Sequence, residues 1–141
     1  VDESTAVELA AEFLPLEQLL GVADFVSLHC PATPDTRNLI NAEMLALMRK
    51  EAMLINTARG DVVAEGDLLR ALQDGVIAGA GLDVYAQEPR VAAELLALEQ
   101  VVLLPHMGSG TRETREAMGL CALANIEAHF AERVLPNAVV Q

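Results

Sequence analysis

Four short apolar stretches rich in branched side chains recur at similar intervals: Phe25–Leu28, Met53–Ile55, Ala78–Val84 and Val101–Leu104. Runs of this length, bounded by polar and turn-forming residues, predict buried strands. Segments with helical spacing lie between them. Pro15 opens one that runs through Leu20, with Gly21 as its stop. Asn41 can cap Ala42–Met48, whose Met44, Leu45, Leu47 and Met48 make an apolar face. Between Glu65 and Asp74, Leu68, Leu69 and Leu72 share one side, and Gly75 closes the segment. Val91–Leu98 is a short further helix, and Thr111–Arg133 is the longest, with Met118, Cys121, Leu123, Ile126 and Phe130 loosely at helical spacing.

Strands that alternate with helices predict an α/β fold with a parallel sheet, because parallel neighbours need crossover connections. The rhythm is structural. No internal repeat and no low-complexity segment accompanies it. In an open parallel sheet the ligand crevice lies beyond the carboxyl ends of the strands, so the residues just after each strand are where chemistry is expected. They are polar: His29-Cys30-Pro31, then Asn56-Thr57-Ala58-Arg59-Gly60, then Asp83 through Pro89, then Pro105-His106-Met107-Gly108-Ser109.

One Arg, one Glu and one His on a single edge form a rational set for interconverting a 2-hydroxy acid and a 2-keto acid. The Arg59 guanidinium can grip a carboxylate with two hydrogen bonds. His106 can carry the hydroxyl proton, and Glu88 can orient its imidazole. The hydride needs a cofactor, since no side chain carries one. Each residue alone also has an ordinary reading: Arg59 as a solvated loop cation, Glu88 as a loop acid, His106 as a structural histidine, Asp83 as a turn cap. Their shared placement at strand ends is what favours the chemical set. His29 and His129 read as structural, and no His/Cys/Asp/Glu spacing suits a metal. Gly79-Ala80-Gly81-Leu82-Asp83-Val84 begins like a dinucleotide fingerprint, but Val84 stands where the third glycine belongs and no helix opens there. It reads as a strand with close backbone packing. No G-x-G-x-x-G occurs elsewhere in the chain.

Charge narrows the partners. With 21 Asp and Glu against 9 Lys and Arg among 141 residues, the net charge of −12 argues against nucleic acid and against an anionic membrane surface. At 52% hydrophobic residues the chain is globular, and no apolar run approaches the length of a membrane span. Two unpaired-looking cysteines, Cys30 and Cys121, and an acidic N-terminus without a signal-like pattern fit a reducing cytoplasm. The chain opens on Val1 and its first methionine is Met44, which points to a processed chain or a piece of a longer protein.

The stretches ADFVSLHCPATPDTRNLI, MLINTARGDVV, IAGAGLDVYAQEP and VVLLPHMGSGTRETR, in this order and spacing, closely resemble the D-isomer-specific 2-hydroxyacid dehydrogenase family. Within it, ALEQVVLLPHMGSGTRETREAMG is most similar to glyoxylate and hydroxypyruvate reductases, also called D-glycerate dehydrogenases. The resemblance implies a three-layer, Rossmann-like half of a dinucleotide-binding domain over residues 1–110, followed over 111–141 by a long C-terminal helix and tail that return toward a substrate domain. It implies NAD or NADP as cofactor and a small 2-keto or 2-hydroxy acid as substrate. Arg59 would bind the substrate carboxylate and keto oxygen, His106 would be the general acid and base, and Glu88 would pair with His106. Cofactor contacts would fall on Cys30 and Pro31 near the adenosine, on Thr57, Ala58 and Arg59 near the nicotinamide end, on Asp83 at the carboxamide, and on His106, Gly108 and Ser109. Family members place a substrate-binding segment and a glycine-rich turn ahead of the part matched here.

Two readings of different kinds follow. The chain is the catalytic half of a reductase, or it is a non-catalytic remnant that serves as a dimerising or partner-binding module with an open sheet edge. Phosphoglycerate or another D-2-hydroxy acid is the alternative substrate. A homodimer is expected in either case.

Overall fold

The computed structural model describes residues 3–139. The chain divides into two compact units, Val1–Pro105 and His106–Gln141. In the first, α1 (Glu3–Glu8) and α2 (Leu16–Val22) precede a four-stranded sheet built of β1 (Phe25–Leu28), β2 (Met53–Asn56), β3 (Gly79–Leu82) and β4 (Val101–Leu103). The strands run parallel in the order β1-β2-β3-β4, joined by α3 (Ala42–Leu47), α4 (Glu65–Gln73) and α5 (Ala93–Leu96). This is the α/β, Rossmann-like parallel sheet that the alternating pattern predicts.

The period-two rule decides the faces. Val26, Leu54 and Ala80 stand side by side in register, as do Leu28, Asn56 and Leu82, and all six are buried. The five apolar ones share one core with Leu20 of α2, Leu45 of α3, Leu68 and Leu72 of α4 and Leu95 of α5. Burying a leucine side chain of this kind contributes about 2 kcal/mol. The alternate positions point the other way: Phe25 is 72% exposed, Met53 38% and Val102 64%.

Local chemistry sets most element ends. Asn41 caps α3, its side chain accepting from the amides of Glu43 and Met44. Gly75 takes φ +65° just after α4, and its neighbour Val76 donates to the Ala71 carbonyl, a left-handed helix stop. Gly21, expected to stop the second helix, instead lies inside it, and Ala23 closes α2 by donating to Leu19. β3 is shorter than its apolar run, ending at Leu82. Its glycines permit close packing: a Cβ on Gly79 would stand 2.5 Å from the Gln100 carbonyl oxygen and one on Gly81 3.1 Å from Ile55 Cδ1.

The second unit is dominated by α6 (Arg112–Phe130), capped by Thr111, whose hydroxyl accepts from the Thr114 amide at 3.2 Å. The tail folds back on this helix. Asn137 donates its amide to Asn125 Oδ1 at 3.1 Å and accepts from Asn125 Nδ2 at 3.1 Å, while the Cys121 thiol meets Asn137 Oδ1 at 3.2 Å. Among the described residues no helix is long and apolar enough to cross a membrane.

Candidate active site

A cleft of about 530 Å³ opens beyond the carboxyl ends of β1 and β2, lined by His29, Cys30, Pro31, Ala32, Thr57, Ala58 and Arg59. Two loops form it, each stapled by its own side chains. After β1, Thr36 Oγ1 donates to the Pro31 carbonyl at 2.6 Å and accepts from the Thr33 amide at 2.8 Å, fixing the turn that carries Cys30 and Pro31. His29 Nε2 lies 2.8 Å from Ser27 Oγ. After β2, the loop is organised by Asn56. Its Oδ1 accepts from the Ala58 amide at 3.1 Å, its Nδ2 donates to the Arg59 carbonyl at 2.9 Å, and its own carbonyl accepts from the Asp83 amide at 3.0 Å.

Arg59 is exposed, in extended backbone (φ −147°, ψ 146°), and its Nη1 donates to the Ala58 carbonyl at 2.6 Å. The ion pairs Arg37–Asp61, Arg49–Asp24 and Arg70–Asp67 leave it out. A guanidinium on the lip of a cleft and uncommitted to those pairs has the donors that an anion requires. A single 3₁₀ turn, Gly60–Val62, follows it. Gly60 is required there because a Cβ would drive into the Tyr85 carbonyl group.

One strand further, Asp83 is buried at the end of β3. The loop after it is held by two carboxylates: Glu88 Oε1 accepts from the Tyr85 amide at 3.0 Å and Glu65 Oε2 from the Ala86 amide at 3.1 Å. Tyr85 is the hub of this loop. Its hydroxyl donates to the carbonyl of Leu104 at 2.7 Å and lies 3.2 Å from that of Leu82, tying the ends of β4 and β3 together. Burial, with the negative charges of Asp83, Glu88 and Glu65 nearby, pushes its phenol above the ordinary tyrosine range.

The structure thus brings Cys30, Pro31, Thr57, Ala58 and Arg59 around one cleft and sets Asp83 and Glu88 after the third strand. His106, Gly108 and Ser109 belong to the second unit, where His106 has φ +52° and Gly110 donates to the Met107 carbonyl. Sequence reasoning gave no site role to His29, Asn56, Glu65 or Tyr85. Asn56 had a signal. In the pattern Met53-Leu54-Ile55-Asn56 it falls on the face of Leu54, a polar residue at a core position. Among the described residues no cluster of three or more His, Cys, Asp or Glu could hold a metal ion.

The cleft's lining suits a nucleoside: Pro31, Ala32 and Ala58 offer apolar surface for a flat heterocycle, while Thr57 offers a hydroxyl. An open parallel sheet with such a cleft at its strand ends defines an α/β nucleotide-binding protein. The chain belongs to the D-isomer specific 2-hydroxyacid dehydrogenase family, whose NAD binding domain model matches residues 1–108. It is 46% identical over 94% of its length to a glyoxylate reductase of Thermococcus litoralis, of which it covers 40%, and 48% identical to one of Pyrococcus furiosus, covering 39%. Two solved structures agree. A protein of Thermus thermophilus superposes with a TM-score of 0.88 at 47% identity, over 92% of this chain and 42% of that one. An NADPH-dependent glyoxylate/hydroxypyruvate reductase of Sinorhizobium meliloti, in complex with NADP and malonate, gives 0.79 at 40% identity, over 82% and 36%. The chain spans about two fifths of the length of these curated relatives.

Proposed function

We propose that the chain supplies the catalytic residues and part of the cofactor site of an NAD(P)-dependent reductase that interconverts a small 2-keto acid, glyoxylate or hydroxypyruvate, with its D-2-hydroxy acid. The observation that carries this reading is the Arg59 loop, braced by Asn56 on the lip of the nucleoside-sized cleft, in a chain nearly half identical to proteins named glyoxylate reductase. In this reading residues 1–110 are the second half of the cofactor domain, and 111–141 the helix and tail that return toward the substrate domain. The assembled enzyme is a cytoplasmic homodimer.

When bound, the nicotinamide supplies the hydride. The chain's residues do the rest. Arg59 holds the keto acid by its carboxylate with two parallel hydrogen bonds, which orients the carbonyl for attack from one side. His106 gives its proton to the carbonyl oxygen during reduction and takes it back during oxidation, and Glu88 fixes the imidazole's direction. Cys30, Pro31, Thr57 and Ala58 would hold the nucleoside parts of the cofactor, Asp83 would receive its carboxamide, and Gly108 and Ser109 would complete the contacts. No pyrophosphate-binding G-x-G-x-x-G lies within the 141 residues, so activity is expected of the complete enzyme.

The test is the consumption of NADH and NADPH by that enzyme with glyoxylate, hydroxypyruvate and a phosphorylated hydroxypyruvate in turn, repeated for Arg59→Ala. Expected is turnover of the two small acids and a fall in kcat/KM of about 100-fold or more in the variant, since a charge-assisted bidentate contact is lost. Preference for the phosphorylated acid would replace the substrate assignment. Absence of turnover with every acid, in an enzyme that still binds NAD(P)H, would return the chain to a binding role.

A further inference from the structure

Asn56, at 1% exposure, is the least exposed polar residue among the described residues. Burial of an amide is unfavourable unless its hydrogen-bonding groups are used, and here both ends are used on the same loop. Oδ1 takes the Ala58 amide, two residues on, in the manner of an Asx-turn. Nδ2 reaches past it to the Arg59 carbonyl. The orientation of the amide is thereby determined, because an N–H needs an acceptor and a carbonyl needs a donor. The main chain of Asn56 is pinned as well, in register with Leu28 and Leu82 and accepting from Asp83. Immediately after Arg59, Gly60 lies against the Tyr85 main chain. The Arg59 backbone is therefore held on one side by the Asn56 amide and on the other by that contact.

We propose that Asn56 is a positioning residue for substrate recognition: by holding the Arg59 carbonyl it sets the line along which the guanidinium meets a carboxylate. The inference rests on the assignment of carboxylate binding to Arg59. Without the Nδ2 donor, the Arg59 carbonyl loses the side-chain bond that ties it to the end of β2, and a long flexible side chain amplifies any rotation of its own peptide. Aspartate at this position is nearly isosteric and keeps the acceptor for Ala58, but it presents oxygen to the Arg59 carbonyl where a donor is needed.

A double-mutant cycle on the complete enzyme tests this, with two readouts: kcat/KM for glyoxylate, and the Kd of oxalate, a two-carbon carboxylate that cannot be reduced. Asn56→Asp should lower the first and raise the second by about 10-fold or more, as a misplaced binding group does. In the Arg59→Ala background the same substitution should change either by no more than about twofold, because a residue acting through Arg59 has nothing left to position. Equal factors in both backgrounds would make Asn56 a general support of the fold and overturn the proposal. Should Arg59→Ala alone leave oxalate affinity unchanged, the carboxylate assignment fails, and the proposal with it. If Asn56→Asp melts below the assay temperature, Asn56→Ser, whose hydroxyl stands one bond short of Oδ1 and Nδ2 and can still form the analogous turn with the Ala58 amide, goes through the same cycle with the same criteria.

Discussion

Glu88 has a structural task as well as the one proposed for it in proton transfer. Its Oε1 closes the loop after β3 by accepting the Tyr85 amide, a task that glutamine performs equally well. Glu88→Gln should therefore melt within about 0.5 kcal/mol of the parent, whereas Glu88→Ala, which strands that amide, should lose about 1 kcal/mol. In the complete enzyme the two variants should nevertheless lose kcat alike, by about tenfold or more, if Glu88 acts on His106 as proposed, because both remove its charge. A glutamine variant with full turnover would leave Glu88 with its loop-closing role alone. Tyr85 offers a separate test at the same scale. Its phenol ionises above the ordinary range, first because it is buried and then because Asp83, Glu88 and Glu65 surround it. Above about pH 10 the unfolded chain releases this proton before the folded one does, so stability falls as pH rises through the folded pKa. Denaturation at a series of alkaline pH values should show that decline in the parent and a shallower one in Tyr85→Phe. At neutral pH the same variant should be about 1–2 kcal/mol less stable, since the Leu104 carbonyl loses its donor.

At the scale of elements, the loops after β2 and β3 act as one piece because of a glycine. The space a Cβ would need on Gly60 is taken by the Tyr85 main chain, and a backbone cannot yield as a side-chain tip can. Gly60→Ala should cost about 3 kcal/mol or more, at the upper end of what overpacking does, read as a lowered denaturation midpoint at unchanged slope. This contact shows where sequence reasoning stops. Strands, crossover helices and the Asn41 and Gly75 boundaries were legible because periodicity and capping are local signals. α1 was not: it buries Ala6 but has no apolar stripe to announce it. Gly21 misled, since a glycine inside a helix and one just past its end look alike until the main chain is seen. The polar stretches after the strands drew attention to Arg59 and Glu88, which lie in the loops after β2 and β3. Gly60 and Tyr85 join those loops through a contact that no spacing along the chain reveals, whereas Asn56 is marked in the sequence only as a polar residue at a core position.

At the scale of the molecule, the sheet of the first unit is covered on one face by α2 to α5, while the other carries Phe25, Met53 and Val102 exposed. Parallel sheets are found with both faces covered, since their strands are apolar on both sides. β1 is in addition an edge: it pairs with β2 alone among the described strands, so its other side offers unpaired amides and carbonyls in line. An apolar face next to an open edge is a large area that water solvates poorly, and a second copy is the surface always present at equal concentration. The 141-residue chain on its own should therefore associate, with a mass by light scattering that rises above 15.0 kDa as concentration increases. The net charge of −12 opposes this at low ionic strength, so added salt should strengthen association as it screens the repulsion. Phe25→Lys places a charge on both the open edge and the bare face at once, and it should return the chain to a monomer without lowering its melting temperature, because Phe25 is 72% exposed in the single copy. A chain that scatters as a monomer at every concentration and salt tested, before any substitution, would show that this face is tolerated bare.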